Sequence, residues 1–117
     1  MANKKRGEFH IQLEGEDYTL QLTYEVMTEI EDALVVGVFE LFSRAASGLF
    51  TLREMAKIVY LSIIKSDEFE LSEIQIGQMI LAAGVTKYID PIGNFFTEAI
   101  NGGAKREPLK KKVTKKK

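Results

Sequence analysis

The sequence predicts an α+β fold: an N-terminal β-hairpin, then four to five short α-helices, then a disordered basic C-terminal tail. Three observations carry this. Apolar residues alternate from Phe9 to Leu22, the period of strands buried on one face. From Thr23 to Ile100 they recur every three to four residues, broken at short intervals by cap signals and glycines. From Lys105 onward lysine dominates. On this reading residues 1–7 form a basic arm, 8–103 one domain and 104–117 the tail.

In the first strand Phe9, Ile11 and Leu13 share one face, and Glu8, His10, Gln12 and Glu14 the other. Tyr18, Leu20 and Leu22 repeat the pattern, with Thr19 and Gln21 opposite. With Gly15-Glu16 as a two-residue type II′ turn, Leu13 faces Tyr18, Ile11 faces Leu20 and Phe9 faces Leu22. Glu14 then lies opposite Asp17. A two-stranded hairpin is marginal alone, so helices must cover its apolar face.

Thr23 is the expected N-cap of a first helix, with Tyr24, Met27, Ile30 and Leu34 inward and Glu25, Glu29 and Asp32 outward. Gly37 is expected to break it. A second helix carries Val38, Leu41, Phe42 and Ala45 and stops at Gly48. Thr51-Leu-Arg-Glu54 reads as a capping box, in which cap hydroxyl and third-position carboxylate each satisfy a free backbone N–H. It opens a third helix with Leu52, Met55, Val59 and Ile63 inward. Ser72-Glu-Ile-Gln75 repeats the signal for a fourth, ending near Gly84. Asp90-Pro91 suits the first turn of a last helix, where proline loses no hydrogen bond, so residues 85–90 form a separate turn. Ile92, Phe96 and Ile100 share one side of that helix, with Phe95 and Ala99 widening it.

The chain has 117 residues, 45% hydrophobic and 28% charged, which is one soluble domain's worth of sequence. The absence of cysteine excludes disulfides, thiolate zinc sites and cysteine nucleophiles. The longest uncharged run, Ile74 to Thr86, falls short of the ~20 apolar residues of a membrane span. MANKKRGEF has no apolar stretch behind its charges, so no secretory signal is expected and the expected location is cytoplasmic. The net charge of −1 conceals an asymmetry. Residues 7–104 hold five basic residues against sixteen acidic ones, while Lys4, Lys5, Arg6 and the C-terminal lysines flank them.

Groups for chemistry are sparse, and no catalytic, cofactor-binding or metal-binding residues are assigned. His10 is the sole histidine and lies on the polar face of a strand. No GxxxxGK[ST] or GxGxxG occurs. Asp67, Glu68 and Glu70 lack the spacing and glycine of a calcium loop, and read as a solvated acidic loop. Glu29, Glu31 and Asp32 lie close on one helix without an apolar pocket to tune them, and Ser43, Ser47 and Ser62 have no base at recognisable spacing. An enzyme is not expected.

The surplus is apolar. Phe39, Phe42 and Leu49 widen the second helix beyond one stripe, and Tyr60 and Ile64 do the same for the third. Such helices are either central and buried or keep a face for a partner or a second copy. The tail's Lys105, Arg106, Lys110, Lys111, Lys112, Lys115, Lys116 and Lys117 could grip phosphates, an anionic membrane or an acidic partner, or serve as a solubilising segment that folds back on the acidic body. Without stacking aromatics a dedicated nucleic-acid role is not expected.

The order of these features is distinctive. Asn3-Lys-Lys-Arg-Gly-Glu8 precedes a hairpin closed by Gly15; Tyr18, Leu20 and Thr23 lead into a helix with Glu29-Ile30-Glu31; short helices follow across Ala46 and Gly48, to Gly102-Gly103. Over roughly residues 3–103 this resembles the tail assembly chaperone family of gene transfer agents and related siphophages, whose members are sometimes labelled tail tube proteins. Where a glycine-rich turn is usual after the first helix, this chain has Val35-Val36-Gly37. The resemblance implies an adaptor in the bacterial cytosol that coats the helical tape measure protein and helps recruit tail tube subunits. Its apolar helix faces would be the binding surfaces and its acidic rims would discourage wrong contacts. It also implies a longer form made by ribosomal frameshifting, for which the codons of Lys110–Lys112 and Lys115–Lys117 are candidate slippery sites. The other readings are a structural tail subunit and a nucleic-acid-binding accessory protein that uses the basic tail.

Overall fold

A computed structural model describes residues 7–63 and 71–104. Strands β1 (Glu8–Leu13) and β2 (Glu16–Gln21) form an antiparallel hairpin. Five helices follow: α1 (Tyr24–Leu34), α2 (Val38–Ser47), α3 (Leu52–Ser62), α4 (Glu73–Ala83) and α5 (Ile89–Asn101). The separate turn expected before Asp90-Pro91 is a 3₁₀ turn at Val85–Tyr88. The α+β class and the element order are as the sequence predicts. Residues 1–6 of the basic arm, the acidic loop at 67–70 and the tail from Lys105 lie outside the described residues.

The hairpin register differs from expectation. Phe9 pairs with Leu20, Ile11 with Tyr18 and Leu13 with Glu16, so the loop is Glu14-Gly15 rather than Gly15-Glu16. Both loop residues have positive φ, 53° and 83°, the signature of a type I′ turn, whose twist matches that of the strands. The shift is two residues, so every side chain keeps its face and the alternation cannot distinguish the registers. Cross-strand partners do distinguish them: Gln12 Nε2 donates to Asp17 Oδ1 at 3.1 Å, where the expected register would have set Glu14 against Asp17.

Helix starts follow the cap signals closely. Thr23 Oγ1 accepts from the Val26 N–H at 3.1 Å. At α3, Thr51 Oγ1 accepts from Glu54 N–H while Glu54 Oε1 accepts from Thr51 N–H. At α4, Ser72 and Gln75 do the same. Gly37 has no side chain to cap α2; instead Glu31 reaches across from α1, its Oε2 accepting from the Val38 N–H at 2.8 Å. A carboxylate there also complements the positive end of the helix dipole.

Helix α1 ends earlier than expected. It is Val35 that turns the chain, at φ 56° and ψ 45°, whereas Gly37 serves as the N-cap of α2. A β-branched residue in the left-handed region is strained, by roughly 1–2 kcal/mol. Val35 is 87% exposed, so no packing offsets the strain. Val35→Gly is therefore expected to stabilise the domain by about 1 kcal/mol, part of the relief being lost to the freer unfolded chain. Urea unfolding of the two proteins measures it, and an unchanged or lower midpoint contradicts it.

The core lies between the inner hairpin face and the helices. Helices α4 and α5 cover β1, α3 covers β2, α1 packs on α3 and α2 on α5. Of the two helices whose apolar surplus left their place open, α3 is central: Met55, Ala56, Ile58 and Val59 are all buried. Just past its end Ile63 bridges to Leu20 on the outer edge of β2. An aromatic cluster ties the hairpin to α5, with ring centroids 5.5 Å apart for Phe9–Phe95, 5.2 Å for Phe95–Phe96 and 5.7 Å for Phe50–Phe96.

The β1 edge is covered by a tyrosine. Tyr88, buried just ahead of α5, donates its hydroxyl to the Gln12 carbonyl at 2.7 Å. Burial pushes its phenol above the ordinary value of 10.0. In the unfolded chain that phenol ionises from about pH 10, whereas folding holds it neutral. Above that pH the native state binds more protons than the unfolded state, so stability falls as pH rises. Tyr88→Phe should cost about 1 kcal/mol at neutral pH and remove this part of the alkaline loss. Unfolding free energies measured near neutrality and above pH 10 for both proteins check it; parallel losses in the two would contradict it.

Candidate functional site

Among the described residues, the surface features that stand out are apolar side chains left exposed. Phe39 is 76% exposed and Leu49 68%. Both belong to the α2 region, whose opposite side buries Leu41 and Ala45 toward α5. Phe39, Phe42 and Ala46 follow one another at spacings of three and four, which places them on one stripe of the helix. Phe42 is half-buried and Ala46 exposed. Leu49 continues past the cap: Gly48 adopts the left-handed conformation that glycine takes without strain, and the Leu49 N–H turns back to the Arg44 carbonyl at 2.9 Å.

The rest of α2 is polar and tied down. Arg44 bonds Glu40 at 3.2 Å within the helix and Glu54 at 2.7 Å across to α3. Glu54 thus serves both the capping box and the link between α2 and α3. Such partly exposed pairs contribute little energy each. Exposed acids on α1, namely Glu25, Glu29 and Asp32, leave that neighbouring helix strongly acidic.

Of the other residues singled out from sequence, Tyr60 is half-buried on α3, and Ile64 and the lysine tail lie outside the described residues. Tyr24 was expected inward, yet it is 78% exposed. It lies six positions before the fully buried Ile30, about 120° around the helix, so Val26, Met27 and Leu34 flank the core instead. His10 keeps to the polar strand face, 3.3 Å from the Thr19 hydroxyl. Glu31 caps α2, and the Ser62 hydroxyl donates to the Ile58 carbonyl at 2.7 Å inside its own helix. Among the described residues no three His, Cys, Asp or Glu side chains gather where a metal ion would fit. Among them, too, no helix is long and apolar enough to cross a membrane.

One further surface is not among those the sequence singles out. Ile74 and Leu81 on α4 are 73% and 62% exposed and line a groove between α3 and α4, floored by Ala56 and Gly77. A Cβ on Gly77 would stand 3.4 Å from that of Ala56, so the floor has little room for a larger residue. The uncharged run from Ile74 to Thr86 was the available signal. Ile76 and Ile80 are fully buried on one side of α4, so apolar residues on its other side must face away from the core.

The fold and these surfaces define a small α+β domain whose distinguishing features are exposed apolar helix faces on an acidic body. Residues 6–102 match the family described as phage tail tube protein, GTA-gp10. The match spans most of the chain, and the protein belongs to that family, one of phage and gene transfer agent tails. No curated protein sequence and no solved structure matches it.

Proposed function

We propose that this protein is a tail assembly chaperone: it binds the tape measure protein in the host cytosol, helps recruit tail tube subunits around it, and is absent from the finished particle. The observation that carries the reading is the apolar surface of Phe39, Phe42 and Leu49. An amphipathic helix of a partner would cover it, with anchors at the same three- and four-residue spacing. The acidic body supplies repulsion against most other partners.

A second reading, a structural subunit of the tail tube, is favoured by the description of the family itself. Weighing against it is the small amount of sheet available for a tube wall. The hairpin has six residues per strand, Tyr88 bonds the Gln12 carbonyl on one edge and Ile63 bridges Leu20 on the other. A ring built by joining sheets needs free edges.

Co-expression with the tape measure protein decides between them. The chaperone reading expects the partner to become soluble and to co-purify with this chain. A partner that stays insoluble and unbound, with this chain stoichiometric in purified particles, overturns it in favour of the tube subunit.

A further inference from the structure

We propose that the groove between α3 and α4 is the contact between two copies of this chain, joined about a two-fold axis with their α4 helices antiparallel. The first argument is electrostatic. Residues 7–104 carry sixteen acidic against five basic residues, so a carboxylate-rich face of one copy repels the same face of another. Helix α4 has no charged side chain from Ile74 to Ala83, so its outer face is free of that repulsion.

The second argument is self-complementarity, which a two-fold interface requires of a single patch. An axis passing between Gly77 and Gln78 sets Ile74 of one copy against Leu81 of the other, twice. Gln78 of each copy then meets its counterpart near the axis, where two amides can donate and accept reciprocally. The small floor of Ala56 and Gly77 lets the second helix approach closely.

The third argument is charge complementarity at the rims. Helices α3 and α4 run antiparallel, since Lys57 bonds Glu73 and Ala56 adjoins Gly77. Arg53 therefore lies toward the Leu81 end of the groove and Glu73 at the Ile74 end. Arg53 is exposed with no ion pair among the described residues, and Glu73 uses only Oε1 for Lys57. The two-fold brings Arg53 of each copy toward Oε2 of Glu73 on the other. The same operation gives both rims a cation facing an anion. The pairing stands whether or not the chain binds another tail protein.

Sedimentation equilibrium over a range of concentrations tests it, with thermal melts to verify the fold. The wild-type protein is expected to be dimeric. Ile74→Glu and Leu81→Glu should each weaken self-association by at least about tenfold, because a carboxylate is buried without a partner, while leaving the melt unchanged. Arg53→Glu should weaken it as well, and Arg53→Glu combined with Glu73→Arg should restore it. A chain that is monomeric throughout overturns the proposal, as does a dimer indifferent to these changes or dissolved only by substitutions at Phe39 and Leu49. A monomer whose Ile74→Glu variant stops co-purifying with the tape measure protein also overturns it and gives the groove to that partner.

Discussion

Replacing Phe95 with alanine is expected to remove about 3–5 kcal/mol of stability, the usual range for truncating a buried aromatic. The ring is fully buried. It meets Phe9 at 68° and Phe96 at 86°, both edge-to-face, and such pairs add about 0.5–1.5 kcal/mol each beyond the area they bury. Because Phe9 lies in β1 and Phe96 stacks toward Phe50 ahead of α3, the cavity would open where hairpin, α5 and the α2–α3 connection meet. A domain of this size has about 5–15 kcal/mol in total, so the variant should lose a large fraction of its stability and unfold at a much lower urea midpoint. Urea unfolding of Phe95→Ala and Phe95→Leu measures the effect, with leucine retaining most of the volume. A loss below about 1.5 kcal/mol for alanine would mean that the cluster relaxes without cost and that the hairpin is held elsewhere.

Local rules that act within four residues were legible in the sequence. The capping boxes at Thr51 and Ser72, the Thr23 cap and the break ahead of Asp90-Pro91 all exchange hydrogen bonds between near neighbours, so residue type and spacing suffice to place them. What could not be read depended on choices among equivalents. The hairpin slip of two residues preserves every face, and cross-strand polar partners such as Gln12 and Asp17 select between registers. The end of α1 at Val35 rather than Gly37 goes with a side-chain contact from one helix to the start of the next, seven residues on. Glu31 must reach the Val38 N–H, which requires α2 to begin directly after Gly37. No local propensity encodes that.

The candidate surface was legible in part for the same reason. Phe39 and Leu49 exceed what one buried stripe of α2 can hold, and both are exposed. Tyr60 belongs to a helix with an equal surplus, but α3 lies among β2, α1 and α4 and buries most of it. Composition alone cannot say which of two apolar helices takes the centre. The α4 face was hidden because its apolar residues spread around the helix and leave no contrast between inside and outside.

The α2 surface yields the most direct functional expectation. Phe39→Glu combined with Leu49→Glu should abolish co-purification of the tape measure protein, lowering affinity by at least about thirtyfold, the effect of losing one buried aromatic anchor. Stability should change little, since both side chains are largely in water before and after the change. That pairing of outcomes matters more than either alone, because a variant that merely unfolds would also lose its partner. Phe39→Leu serves as the second control: it keeps an apolar anchor and should retain capture. If the double variant melts like wild type and still solubilises the tape measure protein, the stripe is not the contact surface. If Phe39→Leu fails as completely as the double variant, the site demands an aromatic ring rather than apolar area. Charge on the partner then becomes the next test. A helix laid on this stripe passes Glu40 on a body with sixteen acidic against five basic residues over 7–104, so lysines flanking its apolar anchors should strengthen binding in a salt-sensitive way, and acidic residues there should weaken it.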